Sequence, residues 1–353
     1  MPDAVANLVA QRCAAQLLSG SQAVAPVDVV SRLLAVQGQD ARGARLAIRA
    51  RTAGLTAADV DRALTEDRSL LITWLNRGTL HLVAAADYWW LQLLTTPPME
   101  AATSRRLAQE GVADDEADKA VGLIDAALTA DGPLTRSQLG EVIAAAGIRT
   151  EGQAIVHILA RASIRGLIIR GPMVGRQHAF VRVADWLGRP PARFEPMRFD
   201  RDVALAELTR RFLAGHAPAS ERDLAKWAGL PLRDARRGLT AIASELKERD
   251  DGLAELKTST WFQTAELPPP LLLGSFDPLL HGWVDRKPVL GAATGIVTVN
   301  GLFRPFALVD GRAAALWSLA AGRVELSEFA PLGVEVAAAL RAEADDVIRF
   351  LDI

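Results

Sequence analysis

The sequence predicts a mainly helical fold with added β-structure: tandem winged-helix (helix-turn-helix) modules followed by a small C-terminal β-barrel. Three observations predict it. The order helix, helix, helix, strand, loop, strand is legible between residues 118 and 183. A similar outline returns from residue 202. At Pro268-Pro269-Pro270 the texture changes to short apolar runs separated by Asx-Gly turns. At 353 residues the chain exceeds one ordinary core, and about 150 residues per domain suggests two to four units.

Taken in order, residues 3–18 read as a helix, with Val5, Leu8, Val9, Arg12 and Ala15 at helical spacing. Pro26 opens a second, followed by Val29, Val30, Leu33 and Leu34. Residues 43–52 look helical after Gly43, and Thr56-Ala57-Ala58-Asp59 resembles a capping box for a short helix ending near Asp67. Residues 70–83 turn apolar and β-branched, as in a strand pair or wing. Residues 118–129 form the next helix, and Asp131-Gly132-Pro133 is a turn. Thr135 and Gln138 cap a helix that runs through Ala146 and stops at Gly147. A third helix spans 152–165, with Ala154, Ile155, Ile158 and Leu159 on one face. Strands at 167–170 and 179–183 flank a loop holding Gly171, Pro172 and Gly175.

The recurrence starts with a helix at 202–215. Ser220 and Asp223 cap another through Ala228, which Gly229 stops, and Pro231 opens a third to about Leu246. Beyond residue 267, runs at 271–273, 296–299, 306–309 and 314–318 read as strands. Asn300-Gly301 and Asp310-Gly311 read as hairpin turns. A final helix covers about 334–351.

Half of the residues are apolar and 23% are charged, which places the chain among globular proteins. The single cysteine, Cys13, excludes an internal disulfide framework and fits a reducing, cytoplasmic setting. No apolar run reaches the roughly 18 residues of a membrane span, and no export signal is read. A net charge of −2 argues at first against nucleic acid. Residues 149–201, however, hold ten arginines against Glu151, Asp185, Glu195 and Asp200, and residues 42–51 hold four arginines and no acid. A polyanion responds to local field, so these clusters point either to phosphate contact or to ordinary solvated faces.

Standard catalytic motifs are missing: no phosphate-binding glycine loop, no Gly-x-Ser-x-Gly and no His-Glu-x-x-His. His81, His157, His178, His216 and His281 are scattered, so no metal and no cofactor is expected. Two strings stand out. Val36-Gln37-Gly38-Gln39-Asp40 carries two carboxamides two residues apart. If extended, both face the same way and can hold a water and a sugar or base edge together; otherwise the string is a polar loop capping the next helix. Thr73-Trp74-Leu75-Asn76-Arg77-Gly78-Thr79-Leu80-His81-Leu82, if extended, puts Arg77, Thr79 and His81 on one face. The same alternation also suits an ordinary half-buried strand.

"LLAVQGQDARGARLAIRART" followed by "TWLNRGTLHLVAAADYWWL" resembles the first winged-helix module of the AlkZ-like (YcaQ-like) DNA glycosylases. "LLGSFDPLLHGWVDRKPVL" and "VNGLFRPFALVDGRAAALWSL" resemble that family's C-terminal barrel. The resemblance runs from about residue 5 to 350. It implies three winged-helix modules at 1–100, 101–198 and 199–266, a barrel with terminal helix at 267–353, and a C-shape with duplex DNA in its groove. It also implies a catalytic Gln-x-Gln motif at Gln37 and Gln39. Arg42, Arg45, Arg77, Thr79, His81, Arg161, Arg165 and Arg286 are the expected DNA-binding residues. The middle position, usually apolar in the family, is Gly38 here, and a glycine loosens the backbone by about 0.5–1 kcal/mol relative to alanine.

The expected activity is hydrolysis of the N-glycosidic bond of alkylated purines, N7-alkylguanine and crosslinking adducts included, by a monomer acting in base-excision repair or self-resistance. A cationic leaving base needs little acid catalysis, but it needs a placed water. Asp40 is a weaker candidate than the amides because in an extended segment it faces away from them. The alternative from another class is a non-catalytic winged-helix regulator, since fold alone does not decide function.

Overall fold

A computed structural model describes residues 2–175, 177–247, 249–259 and 265–353. The backbone forms two compact units: Met1–Val60 with Leu205–Ile353, and Asp61–Ala204. The segment expected as a first module, 1–100, is thus shared between them.

The chain begins with α1 (Pro2–Ala15), α2 (Pro26–Leu33), β1 (Val36–Gln37), α3 (Ala41–Arg49) and α4 (Ala57–Thr65). Asp40, extended at φ −112°, caps α3 by accepting the Arg42 N–H. Asp59 accepts the Thr56 N–H and hydroxyl, as the capping-box reading of α4 requires.

The second unit contains β2 (Leu70–Leu75), β3 (Thr79–Ala84), α5 (Tyr88–Thr95), α6 (Glu100–Gln109), α7 (Asp114–Asp131), α8 (Arg136–Ala145), α9 (Ala154–Ile164), β4 (Ile168–Val174), β5 (Gln177–Arg182) and α10 (Val183–Trp186). Its sheet runs β3-β2-β4-β5. Every residue of β2 is buried, so this strand has no solvent face and lies between two partners. It pairs with β3 from Leu70↔Ala84 to Leu75↔Thr79 and meets β4 at Ile72↔Arg170. α9 packs on β2 and β4, and the Thr73 and Ser163 hydroxyls bond across at 2.9 Å. Thr135 and Gln138 close the expected capping box of α8. Arg77 departs from the extended reading. It sits in the turn Asn76-Arg77-Gly78 between β2 and β3, where Asn76 (φ 53°) and Gly78 (φ 76°) take the left-handed conformation a tight reversal needs. Only Thr79 and His81 share the strand.

The remainder of the first unit holds α11 (Arg201–His216), which begins in the other unit, then α12 (Glu221–Ala228), α13 (Leu232–Ala241), β6 (Leu246–Lys247), β7 (Glu255–Leu256), β8 (Leu271–Leu273), α14 (Lys287–Leu290), β9 (Phe306–Val309), β10 (Arg312–Ala320), β11 (Arg323–Glu328) and α15 (Val334–Leu351). The order three helices then two strands recurs here in α11–α13 with β6 and β7. α13 ends at Ala241, short of the expected Leu246, because Leu246 and Lys247 pair with Leu256 and Glu255. Gly229 at φ 68° stops α12 as read.

The expected C-terminal barrel is a correction. β11-β10-β9-β8 form an open four-stranded sheet. Closing a sheet requires its two edges to pair; among the described residues β8 and β11 do not, and α15 packs against both edge strands. Residues 296–299 supply only an isolated bridge, Val297↔Phe303, and β11 lies outside the strands that the sequence predicts. Asp310 (φ 48°) and Gly311 (φ 71°) do make the two-residue turn between Val309 and Arg312. No helix among the described residues is long and apolar enough to cross a membrane.

What unites the two chain segments of the first unit is a set of buried arginines. Arg51 is wholly buried, and its Nη1 and Nη2 donate to the two carboxylate oxygens of Asp277 at 2.9 Å. Nε and Nη2 also donate to the Gln16 carbonyl and side-chain oxygens, and Nη1 to the Ala47 carbonyl. Arg49 donates to the Leu272 carbonyl at 2.8 Å and pairs with Glu343 and Asp346 on α15. A Cβ built on Gly43 would run into the Ser275 carbonyl oxygen, and one on Gly274 would come within 2.8 Å of Leu46 Cβ. The segments 43–51 and 272–277 therefore meet backbone to backbone.

Candidate active site

The two carboxamides occupy the passage from β1 into α3. Gln37 is the last residue of β1 and only 8% exposed; Gly38 is buried; Gln39 is exposed, in a bend. Strand geometry ends at Gln37, so alternation along a strand does not place the pair. Asp40 is committed to capping α3. The polar-loop reading of this string is thus true of Asp40. Because α3 is anchored by Arg49, Arg51 and Gly43, the bend that leads into it has a fixed end.

Beside the bend lies a cleft of about 330 Å³, lined by Asp40, Arg42, Gly43, Leu46, Ser275, Pro305, Trp317 and Leu319. Of these, Trp317 is buried, and its indole N–H donates to the Leu273 carbonyl at 2.8 Å. Sequence reasoning missed Trp317 and Leu319. Both belong to β10, far along the chain, and no short-range spacing links them to Gln39.

The expected DNA-binding residues fall into three environments. Arg42 and Arg77 are exposed. Arg45 is buried and donates to the Ala41 carbonyl; Arg286 is half-buried, donates to the Leu280 carbonyl and lies 5.1 Å over the Phe303 ring. Arg161 is buried, with Asp114 at 2.5 Å and Asp118 at 2.8 Å, while Arg165 bonds Glu100 and Asp118 at 2.7 Å. Asp114 is held below the usual carboxylate range, chiefly by the hydrogen bond from Arg161. Thr79 is half-buried. His81 is buried and bonded through Nδ1 to the Thr79 carbonyl oxygen at 2.9 Å, and burial lowers its pKa to about 3, so the ring is neutral near pH 7. Such a ring can accept a proton-bearing partner but offers no cationic contact to phosphate.

Two further groups of side chains bear on the chemistry. Burial pushes the Cys13 thiol up to about 12, which removes the thiolate that nucleophilic attack needs. Among the described residues no group of three or more His, Cys, Asp or Glu side chains is arranged to hold a metal ion.

Residues 30–350 match the model of the family described as DNA glycosylase AlkZ-like. The chain belongs to the AlkZ-like DNA glycosylase family. It is an enzyme of that class, a hydrolase of N-glycosyl bonds, which sets aside the regulator alternative. An interstrand DNA cross-link repair glycosylase of Streptomyces sahachiroi is 26% identical over 348 residues, covering 91% of this chain and 90% of that protein. The solved structure of the Streptomyces sahachiroi DNA glycosylase AlkZ superposes with a TM-score of 0.74 at 24% identity, over 98% of this chain and 96% of that one. That superposition shows a shared fold.

Proposed function

We propose that this AlkZ-like enzyme hydrolyses the N-glycosidic bond of N7-alkylated guanine in duplex DNA, with Gln37 and Gln39 as its catalytic residues. The observation that carries the reading is the Gln37-Gly38-Gln39 bend held at the start of a helix that buried arginines fix in place. Alkylation at N7 leaves the base cationic and therefore ready to depart, with oxocarbenium character growing on the sugar. A carboxamide oxygen can accept a hydrogen bond from the attacking water and orient it toward the sugar carbon. The same dipole, placed in advance, stabilises the developing positive charge without titrating. Gln37 is the buried member of the pair, and Gln39, the exposed one, meets DNA and water first.

The repeated order of three helices and a strand pair supports reading each repeat as a winged helix, the element that docks on duplex. Exposed Arg42 and Arg77 are the first choices for phosphate contact. The name of the Streptomyces sahachiroi relative extends the proposed substrates to guanines joined in interstrand cross-links, in repair or in self-resistance to an alkylating compound. A monomer associated with DNA in the cytoplasm suits this role.

The test is release of free 7-methylguanine from a methylated duplex in single turnover. Gln37→Ala and Gln39→Ala should each slow release by about 100-fold or more at saturating protein, with both variants shown to be folded by thermal melting. A wild-type protein that binds the duplex and frees no base, or alanine variants that keep full rates, would refute the assignment.

A further inference from the structure

Among the described residues of the second unit, Arg136 and Arg170 meet no carboxylate. We infer that these two arginines hold neighbouring phosphates of one strand of the bound duplex, at the head of a groove between α8, the start of α9 and β5. This rests on duplex DNA being what the enzyme binds and is independent of which residues perform hydrolysis.

Arg170 stands on β4, between the strands that carry Trp74 and Phe180. Its guanidinium carbon lies 5.0 Å from the Trp74 ring centre and 4.8 Å from that of Phe180, and the two rings are 11° from parallel. Both rings are buried. The guanidinium is therefore held before any ligand arrives, which suits a planar fork that binds phosphate through two N–H groups. Among the described residues it forms no hydrogen bond or ion pair, and its Nε is buried without an acceptor. Burial lowers its pKa to about 10, and the neighbouring charge that adds to this is Arg136. Arg161 and Arg165 of the same unit meet Glu100, Asp114 and Asp118 instead. A half-buried cation beside a second cation gains most from an anion supplied from outside.

The backbone brings Arg136 to the same place. Phe180 pairs with Arg170 on one side and exchanges both backbone hydrogen bonds with Leu134 on the other, at 2.8 and 3.2 Å. Paired strands are about 4.8 Å apart, so Leu134 lies about 10 Å from Arg170, and Arg136 opens α8 two residues later. Arg136 is exposed. It lines a groove of about 410 Å³ with Ser137, Glu141, Thr150, Ile155 and Gln177. Hydroxyl and carboxamide groups of this kind contact phosphate and sugar oxygens in protein–DNA interfaces. The acid Glu141 stands about 7.5 Å further along the helix axis than Arg136, away from the arginine end.

The experiment measures affinity for an undamaged fluorescent duplex by anisotropy, across about 0.05 to 0.2 M KCl. The proteins are wild type, Arg170→Met and Arg136→Ala, each first checked by thermal melting. Methionine keeps an unbranched apolar stem between the two rings. Each variant should bind about 10-fold more weakly at about 0.1 M salt, and the slope of log affinity against log salt should shrink by about 1. A packing role for Arg170 would lower the melting temperature and leave that slope alone. An unchanged slope in either folded variant overturns the phosphate assignment and leaves the glutamine assignment standing. If Arg170→Met does not fold, Arg136→Ala decides by the same criterion. A wild type that binds no duplex ends the inference at its premise. The expected slope losses in a protein that frees no base would support the phosphate contacts and sink the glutamine reading alone.

Discussion

Two arginine-rich stretches looked alike as sequence and differ in the structure. Around α3, Arg49 and Arg51 lie in the interior, and Arg51 meets a carboxylate as fully buried as itself. Around α9, Arg161 and Arg165 meet Glu100, Asp114 and Asp118, whose side chains remain 40–65% exposed. One set fastens two distant chain segments, while the other is an ion-pair network whose carboxylates stay in solvent. The difference teaches that an arginine cluster reports a demand for carboxylates or carbonyls as readily as a demand for phosphate. Only the burial of the partner tells which demand dominates its energetics.

The contrast is sharpest under truncation. Arg51→Ala leaves Asp277 buried without its partner, and breaking a pair of this kind costs about 3–5 kcal/mol. Chemical denaturation should show a loss of that size. A change below about 1 kcal/mol would mean that Asp277 finds water or another donor.

A middle-sized effect comes from acid. His216 is wholly buried, stacked 4.7 Å from Phe212, and burial lowers its pKa to about 3. Its folded pKa lies below the unfolded value of about 6.5, so the unfolded chain binds the proton first. The stability this neutral ring supports is complete above pH 6.5 and is lost as pH falls toward 3, with a slope approaching 1.4 kcal/mol per pH unit. His216→Phe should flatten that slope in melts between pH 6 and 4. An unchanged slope would place the acid sensitivity elsewhere, with His81 in the other unit the next group to replace.

Smallest of all should be Arg165→Ala. Its partners are solvent-exposed, and such pairs contribute about 0–1 kcal/mol. A cost near that of Arg51→Ala would erase the distinction between the two stretches.

Much of the secondary structure was legible because its signals are local. Thr135, Ser220 and Thr56 cap helices through side chains three residues away, Gly229 and Asp310-Gly311 take backbone conformations that few residues reach, and the final helix was read at its observed bounds. Arg77 and β11 were misread or missed because extended alternation and a turn look alike until partners are known. The cleft was illegible for the same reason: Gln39 and Leu319 are 280 residues apart, and no period connects them.

By itself the sequence determined the helices, their caps, the tight turns and the two carboxamides, since these follow from side chains and backbone preferences within a few residues. Only the tertiary structure decided that Arg49 and Arg51 face carboxylates instead of solvent, that the C-terminal sheet stays open under α15, and that β10 lines a cleft beside Gln39. Burial and strand pairing are properties of what two distant segments present to each other, and neither segment carries that information alone.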